Sequence, residues 1–128
     1  MKKFIDATIK PVLIIGGLGT AAALLYAFWP KYAVANIAKL DWVQDYSIFV
    51  QHWGIMVGLI GVFMVAAAFI ESWRTPIIFY GLLEKALMVY LVVTNSSFPY
   101  AQGFYVPAAM DAFLTVYSIL YFISLKER

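Results

Sequence analysis

The sequence contains no cysteine. That excludes disulfides, thiolate metal sites and thiol redox chemistry, including quinone reduction through a disulfide. It does not locate the protein, because a cysteine-free chain tolerates either redox compartment. There is one histidine, His52. One imidazole cannot supply both axial ligands of a bis-histidine haem, nor a histidine-rich copper or zinc site. No spacing motif joins it to Asp111 or Glu84, so neither a metal nor a cofactor is expected. A glycine-rich phosphate loop is missing, and no spacing sets a serine nucleophile against a base. No basic run extends beyond Lys2-Lys3, and the net charge of +2 is too small to imply a nucleic-acid partner. Charge itself is scarce. Soluble domains carry roughly a quarter of their residues as Asp, Glu, Lys or Arg, and here the figure is 12%.

What is abundant is hydrophobic residues, 64% of the chain, arranged in long blocks. The solvent for most of this surface is lipid. Four blocks are long enough to cross ~30 Å of hydrocarbon at ~1.5 Å per residue. They run from about Pro11 to Trp29, Ser47 to Ile70, Ile77 to Thr94 and Tyr105 to Leu125. Lipid leaves an open strand's polar groups unpaired, so the blocks must be helices. The expected fold is all-α: an integral membrane four-helix bundle, with residues 1–128 as one transmembrane domain. Pro11 suits the first turn of a helix, and Pro30 ends the first block. Lys2, Lys3 and Lys10 before an apolar run, with Ala33-Val34-Ala35 after it, resemble a signal peptide. The run from Val12 to Trp29 is longer than a usual signal core and is read as the first membrane helix, with the signal peptide as the alternative.

Trp29, Trp42, Tyr46 and Trp53 gather near one interface, with Phe98, Tyr100, Phe104 and Tyr105 at matching depth, and Trp73 marks the other. Lys2, Lys3, Lys10, Arg74, Lys126 and Arg128 fall on one side, against Lys31 and Lys39 on the other. That bias places both termini in the cytoplasm. Ala33, Ile37 and Leu40 are expected to line one face of a short interfacial helix in the first loop. Glu71 and Arg74 are spaced for an exposed ion pair, with Arg74 anchoring at the interface.

In lipid, small residues mark close helix contacts. Gly54, Gly58 and Gly61, with Ala68, share one face of the second span. Gly16, Gly17, Gly19 and Thr20 enrich the first, and Ala108, Asp111, Thr115 and Ser118 line the fourth. Gly54-x-x-x-Gly58 could mediate a dimer, but contact within the chain is the favoured reading. Ionisable residues inside a membrane are functional candidates by default. Four occur here: His52, Glu84, Lys85 and Asp111. Glu84 and Lys85 fall near the midplane, while His52 and Asp111 lie about one and a half turns below the outer face. Lys85 can reach Asp111, and Glu84 can reach His52, with Gln51, Thr115 and Ser118 available to complete a buried polar network. Such a network either binds a polar ligand or relays protons, with His52 titrating near neutrality, or it fixes helix register.

Gln51-His52-Trp53-Gly54 opening the second span, then Ala68-Phe69, Arg74, Glu84-Lys85 and Asp111, resemble the DoxX-like group of small bacterial four-helix membrane proteins. The resemblance covers most of the chain on short motifs. It implies the fold and a bacterial inner (cytoplasmic) membrane. It implies no single activity, since some members accompany oxidoreductases or respiratory complexes. The chain is also similar in size to small multidrug transporters, but those carry an essential acid in the first span, and no charge lies between Val12 and Trp29. The leading expectation is a non-catalytic membrane subunit or accessory protein, partnered by lipid and by other membrane proteins or a second copy. The alternatives are a small proton-coupled transporter and a membrane enzyme acting on a lipid or quinone.

Overall fold

A computed structural model describes residues 1–127. Four spans fold as an all-helical bundle. The first span is α1 (Lys2–Ala21) continued by α2 (Leu24–Phe28), and α3 (Pro30–Asn36) follows it in the first connection. The remaining spans are α4 (Ser47–Phe69), α5 (Arg74–Thr94) and α6 (Tyr105–Leu125), each entered through a short 3₁₀ turn. All four are long and apolar enough to cross a membrane. Successive spans run antiparallel. α1 packs on α4, α4 on α5, α5 on α6, and α6 returns to α1. Both described ends of the chain therefore meet at one end of the bundle, where the Lys2 backbone N–H donates to Glu127 Oε2 at 2.8 Å. This is called the terminal end below. The loop end carries the first and third connections.

The first helix begins nine residues earlier than the hydropathy suggests. Pro11 sits inside α1 rather than in its first turn. The extra turns are held because Ile5 and Ile9 continue the buried stripe of Leu13, Gly16 and Thr20 at helical spacing. Near the other end the span tightens. Ala23 N–H bonds Thr20 O, Leu25 N–H bonds Ala22 O and Tyr26 N–H bonds Ala23 O, which is i→i+3 geometry between α1 and α2.

The tightened segment lies against the small-residue face of α4. Gly54, Gly58 and Gly61 are all buried there. A Cβ built on Gly54 would meet Ala27 N at 2.7 Å and Ala23 O at 2.8 Å, and one on Gly58 would meet Leu24 Cγ at 2.5 Å. At Gly61 the obstruction is backbone of Ala21 and Gly17, and Gly17 in turn faces Gly61 O at 2.7 Å. Helix backbones approach this closely where at least one of them carries no side chain at the contact, and dispersion plus Cα–H···O contacts then replace the missing hydrophobic drive. These glycines serve a contact within the chain, between the first and second spans.

At the terminal end, Arg74 closes α4. Its Nε and one terminal nitrogen donate to Ala67 O and Ala68 O, each at 3.0 Å, while the other terminal nitrogen lies 3.5 Å from Glu71 Oε1. The last carbonyls of α4 would otherwise be unsatisfied near the lipid boundary. The snorkelling anchor read from sequence is thus also a helix cap. At the loop end, α3 is shorter than expected, although Ala33 is buried and Ile37 and Leu40 pack against the same cluster. It stops at Asn36, and Ala33, Val34 and Ala38 pack inward against Tyr26. Leu40 lies beyond the helix, after Lys39 at φ 58, which alone among the described non-glycine residues has a positive φ. The left-handed residue turns the chain back, and Leu40 N–H reaches Val34 O at 3.0 Å.

Two glycines separate packing from propensity. Gly61→Leu should destabilise the bundle by about 1–3 kcal/mol, since its neighbours are backbone and cannot yield. Gly81 in α5 has open space where its Cβ would be, so Gly81→Ala should leave stability equal or higher, by up to about 1 kcal/mol from helix propensity. Thermal unfolding of both variants in one detergent checks the pair. Equal losses would mean that the α1–α4 seam is not the tight contact.

Candidate functional site

Three helices converge on one buried ammonium. Lys85 sits mid-way along α5, and its side chain is 3% exposed. Nζ donates to Asp111 Oδ1 of α6 at 2.8 Å and to Thr20 Oγ1 of α1 at 2.8 Å. The Thr20 hydroxyl in turn donates a hydrogen bond to Gly16 O at 2.8 Å. An unpaired lysine at the centre of a membrane helix costs at least ~2.5 kcal/mol. Here both polar contacts come from other spans, so the charge is neutralised only when α1, α5 and α6 are assembled.

Glu84, the preceding residue, points about 100° away around α5. It does not bond Asp111 or Thr20. Its Oε2 lies 3.9 Å from Lys85 Nζ, outside hydrogen-bond range. Among the described residues, this oxygen is the one buried side-chain polar atom with no hydrogen-bond partner. With one lysine and two carboxylates, the cluster carries a formal charge of −1.

Glu84, Lys85, Asp111 and Thr20 all line a cavity of about 120 Å³. Its other walls come from the tight segment at Ala22 and Ala23 and from Tyr26, Trp53, Met88 and Phe104. Those last four residues also line a second space of about 440 Å³ at the loop end. Its far side is closed by Val34 and Ala38 of the first connection and by Trp42, Tyr46 and Phe49. The two cavities adjoin, and the shared wall is aromatic, with Tyr26 and Trp53 in edge-to-face contact at 5.0 Å between ring centroids. The first connection is held over the larger space by a close backbone approach, in which a Cβ on Gly103 would collide with the Ala38 carbonyl.

His52 does not join this site and is corrected here. It is exposed on α4. Two residues separate it from Gly54, about 200° around the helix, so a face that turns Gly54 inward turns His52 outward. Gln51, Thr115 and Ser118 are also outside the network. Gln51 Nε2 donates to Ala27 O at 3.0 Å, at the end of α2, while Thr115 and Ser118 donate to the carbonyls of Asp111 and Leu114 one turn earlier. Thr20 and Tyr26 were missed as site residues. Thr20 registers in sequence only as a small residue after a glycine run. Tyr26 reads as an interfacial aromatic, one turn before the proline that ends the span.

No family model matches the chain, and no curated protein or solved structure is found similar to it. Among the described residues, no group of three or more His, Cys, Asp or Glu side chains could hold a metal ion.

The ion pair makes a sharp prediction. Lys85→Ala and Asp111→Ala should each destabilise the protein by about 3–5 kcal/mol, because each takes the nearest countercharge from a buried partner. The double variant should cost clearly less than the two losses combined. Thermal unfolding of all three in the same detergent reads the coupling, and additive losses would show that the pair does not interact.

Proposed function

We propose that this chain is a non-catalytic membrane protein that holds an amphipathic small molecule drawn from the surrounding lipid. The observation that carries the proposal is the joining of a charged, buried cluster to an apolar, aromatic space through one shared wall. The larger space alone falls within the ~300–1,000 Å³ usual for ligand pockets, and the pattern of apolar walls with a few convergent polar groups is the usual one. A soluble polar ligand has no use for the larger, apolar space, and a pure hydrocarbon has none for the smaller, charged one. An amphiphile uses both.

The basic-residue bias supports cytoplasmic termini, and with that orientation the larger space, a vestibule to the charged cavity, opens in the outer leaflet of a bacterial inner membrane. Transport is less well supported. In the terminal half, Ile9, Leu13, Met64, Ile78 and Leu114 fill the interior, and the cavity among them is about 20 Å³, room for a single water. Catalysis is less well supported, because the Thr20 hydroxyl donates to Gly16 O and the Lys85–Asp111 pair is engaged in joining helices.

A second reading, an accessory subunit of a larger membrane assembly, has one observation in its favour. In the apolar window of α5, 17% of residues are buried, against 33% in each other span. Phe79, Leu83, Leu87 and Tyr90 form an exposed ladder along it, and a partner helix would cover that ladder. The DoxX-like resemblance agrees with this reading and with a bacterial membrane.

Gentle purification followed by mass spectrometry of co-purifying small molecules tests the first reading. A bound amphiphile should be recovered from the unaltered protein and lost from Trp53→Ala, which removes part of the shared wall. Recovery of a stoichiometric membrane protein and no small molecule would favour the subunit instead. For orientation, a cysteine placed at position 1 should resist membrane-impermeant labelling of intact cells from outside. Ready labelling would reverse the topology.

A further inference from the structure

We infer that the head group received by the inner cavity is a cationic hydrogen-bond donor, of the primary-ammonium type, and that Glu84 is the residue that accepts it. The inference rests on the amphiphile reading above and goes further by fixing the chemistry of the polar end.

The argument is a count of donors and acceptors around one small space. An ammonium has three donors. Lys85 gives one to Asp111 and one to Thr20, and the third points to nothing within hydrogen-bond range, with Glu84 Oε2 3.9 Å away. The lysine is thus engaged from two sides and held in place by two other helices. It is a poor receptor for an anionic head, which would have to lie among two acidic side chains to reach the remaining N–H. Glu84 stands differently. Its Oε2 is buried without a donor, while the side chain is 22% exposed and lines the cavity. Oε2 itself is shut off from the cavity beside Lys85, so a donor in the cavity meets the exposed part of the same carboxylate, where low dielectric strengthens such a hydrogen bond.

Charge points the same way. The cluster's formal −1 is balanced by one positive charge, and an anion would raise the imbalance to −2. The cavity is also lined by Tyr26, Trp53 and Phe104, and aromatic ring faces attract cations. A neutral alcohol head would satisfy Glu84's hydrogen bond without balancing its charge. A quaternary ammonium would balance the charge without donating. The primary ammonium does both.

The experiment uses the full chain in nanodiscs of zwitterionic lipid, with empty nanodiscs as the partition reference. The probes are dodecylamine, dodecanol and dodecanoate, three heads on one chain length. Binding is read from intrinsic tryptophan fluorescence, since Trp53 sits in the wall between the cavities. Dodecylamine should bind at least about tenfold more tightly than dodecanol, the scale of one charge-assisted hydrogen bond, and dodecanoate should bind weakest. In Glu84→Gln the ratio of amine to alcohol affinity should fall about tenfold. Equal binding of all three probes would overturn the head-group inference while leaving the amphiphile pocket standing, and so would a preference for dodecanoate. An amine preference that survives in Glu84→Gln would remove Glu84 as the acceptor. Binding of none of the three above the empty-disc reference would overturn the pocket reading along with the inference. The comparison of probes on the unaltered protein stands even if Glu84→Gln fails to fold.

Discussion

A lysine ammonium inside a bundle that has almost no water around it must be neutralised by something carried on another helix. In this chain that requirement is met by Asp111 and Thr20, and it organises much else. It brings α6 and α1 to the same depth beside α5, which helps close the ring of four spans. It also explains how α5 can stay in place while burying so little of itself. The close α1–α4 seam is held by backbone contact and small residues, whereas α5 is held in part by polar bonds from Lys85 and from Thr75, whose hydroxyl meets Tyr121 OH at 2.9 Å. One bundle thus uses two kinds of adhesion. The stiff one joins the first two spans, and the more local one joins the third to the fourth.

This division has a structural result. Where the first span meets α4 by glycine and backbone there is no gap, and the open space lies on the side of that segment that faces α5 and α6. The two joined cavities lie beside the tight segment at Ala22–Ala23 and along the loop-end half of α5, where Met88 helps form the wall. The charged cluster at their inner end is therefore a structural clasp and a lining of open space at once. Network and pocket share Lys85 and Asp111, but Glu84 belongs to the pocket more than to the clasp.

The helical class and the four crossings were legible from hydropathy, because lipid permits few other solutions for runs of this length. The inward face of α4 was legible too, since Gly54, Gly58 and Gly61 repeat at helical spacing. Depth and the reach of a lysine stem allowed Lys85 to pair with Asp111, with Glu84 as the other partner, and the coordinates put Asp111 at 2.8 Å. Other features needed coordinates. The start of α1 was hidden because Lys2, Lys3 and Asp6 lower the local hydropathy while Ile5 and Ile9 still pack inward. His52 looked like a network member because its depth was right, but depth says nothing about azimuth, and Gly54 had already fixed which way α4 turns. Thr20 could not be picked from a run of small residues without knowing which helix it faces. The vestibule depends on how residues 33–43 fold back over the end of the bundle, a path set by one left-handed residue and a backbone approach at Gly103.

The separation of Lys85 from Asp111 by 26 positions has a consequence for biogenesis. The chain is made from its N-terminus, so the third span emerges complete before its acidic partner on the fourth exists. During that interval a charge that is expensive in hydrocarbon has only Thr20 on the first span and the adjacent Glu84 to lean on. The third span then has reason to linger at the edge of the insertion machinery, or to sit shallow with its lysine reaching for water, until the fourth span arrives. Its entry into the membrane becomes a joint event of two helices, and a truncation just after Thr94 would strand it.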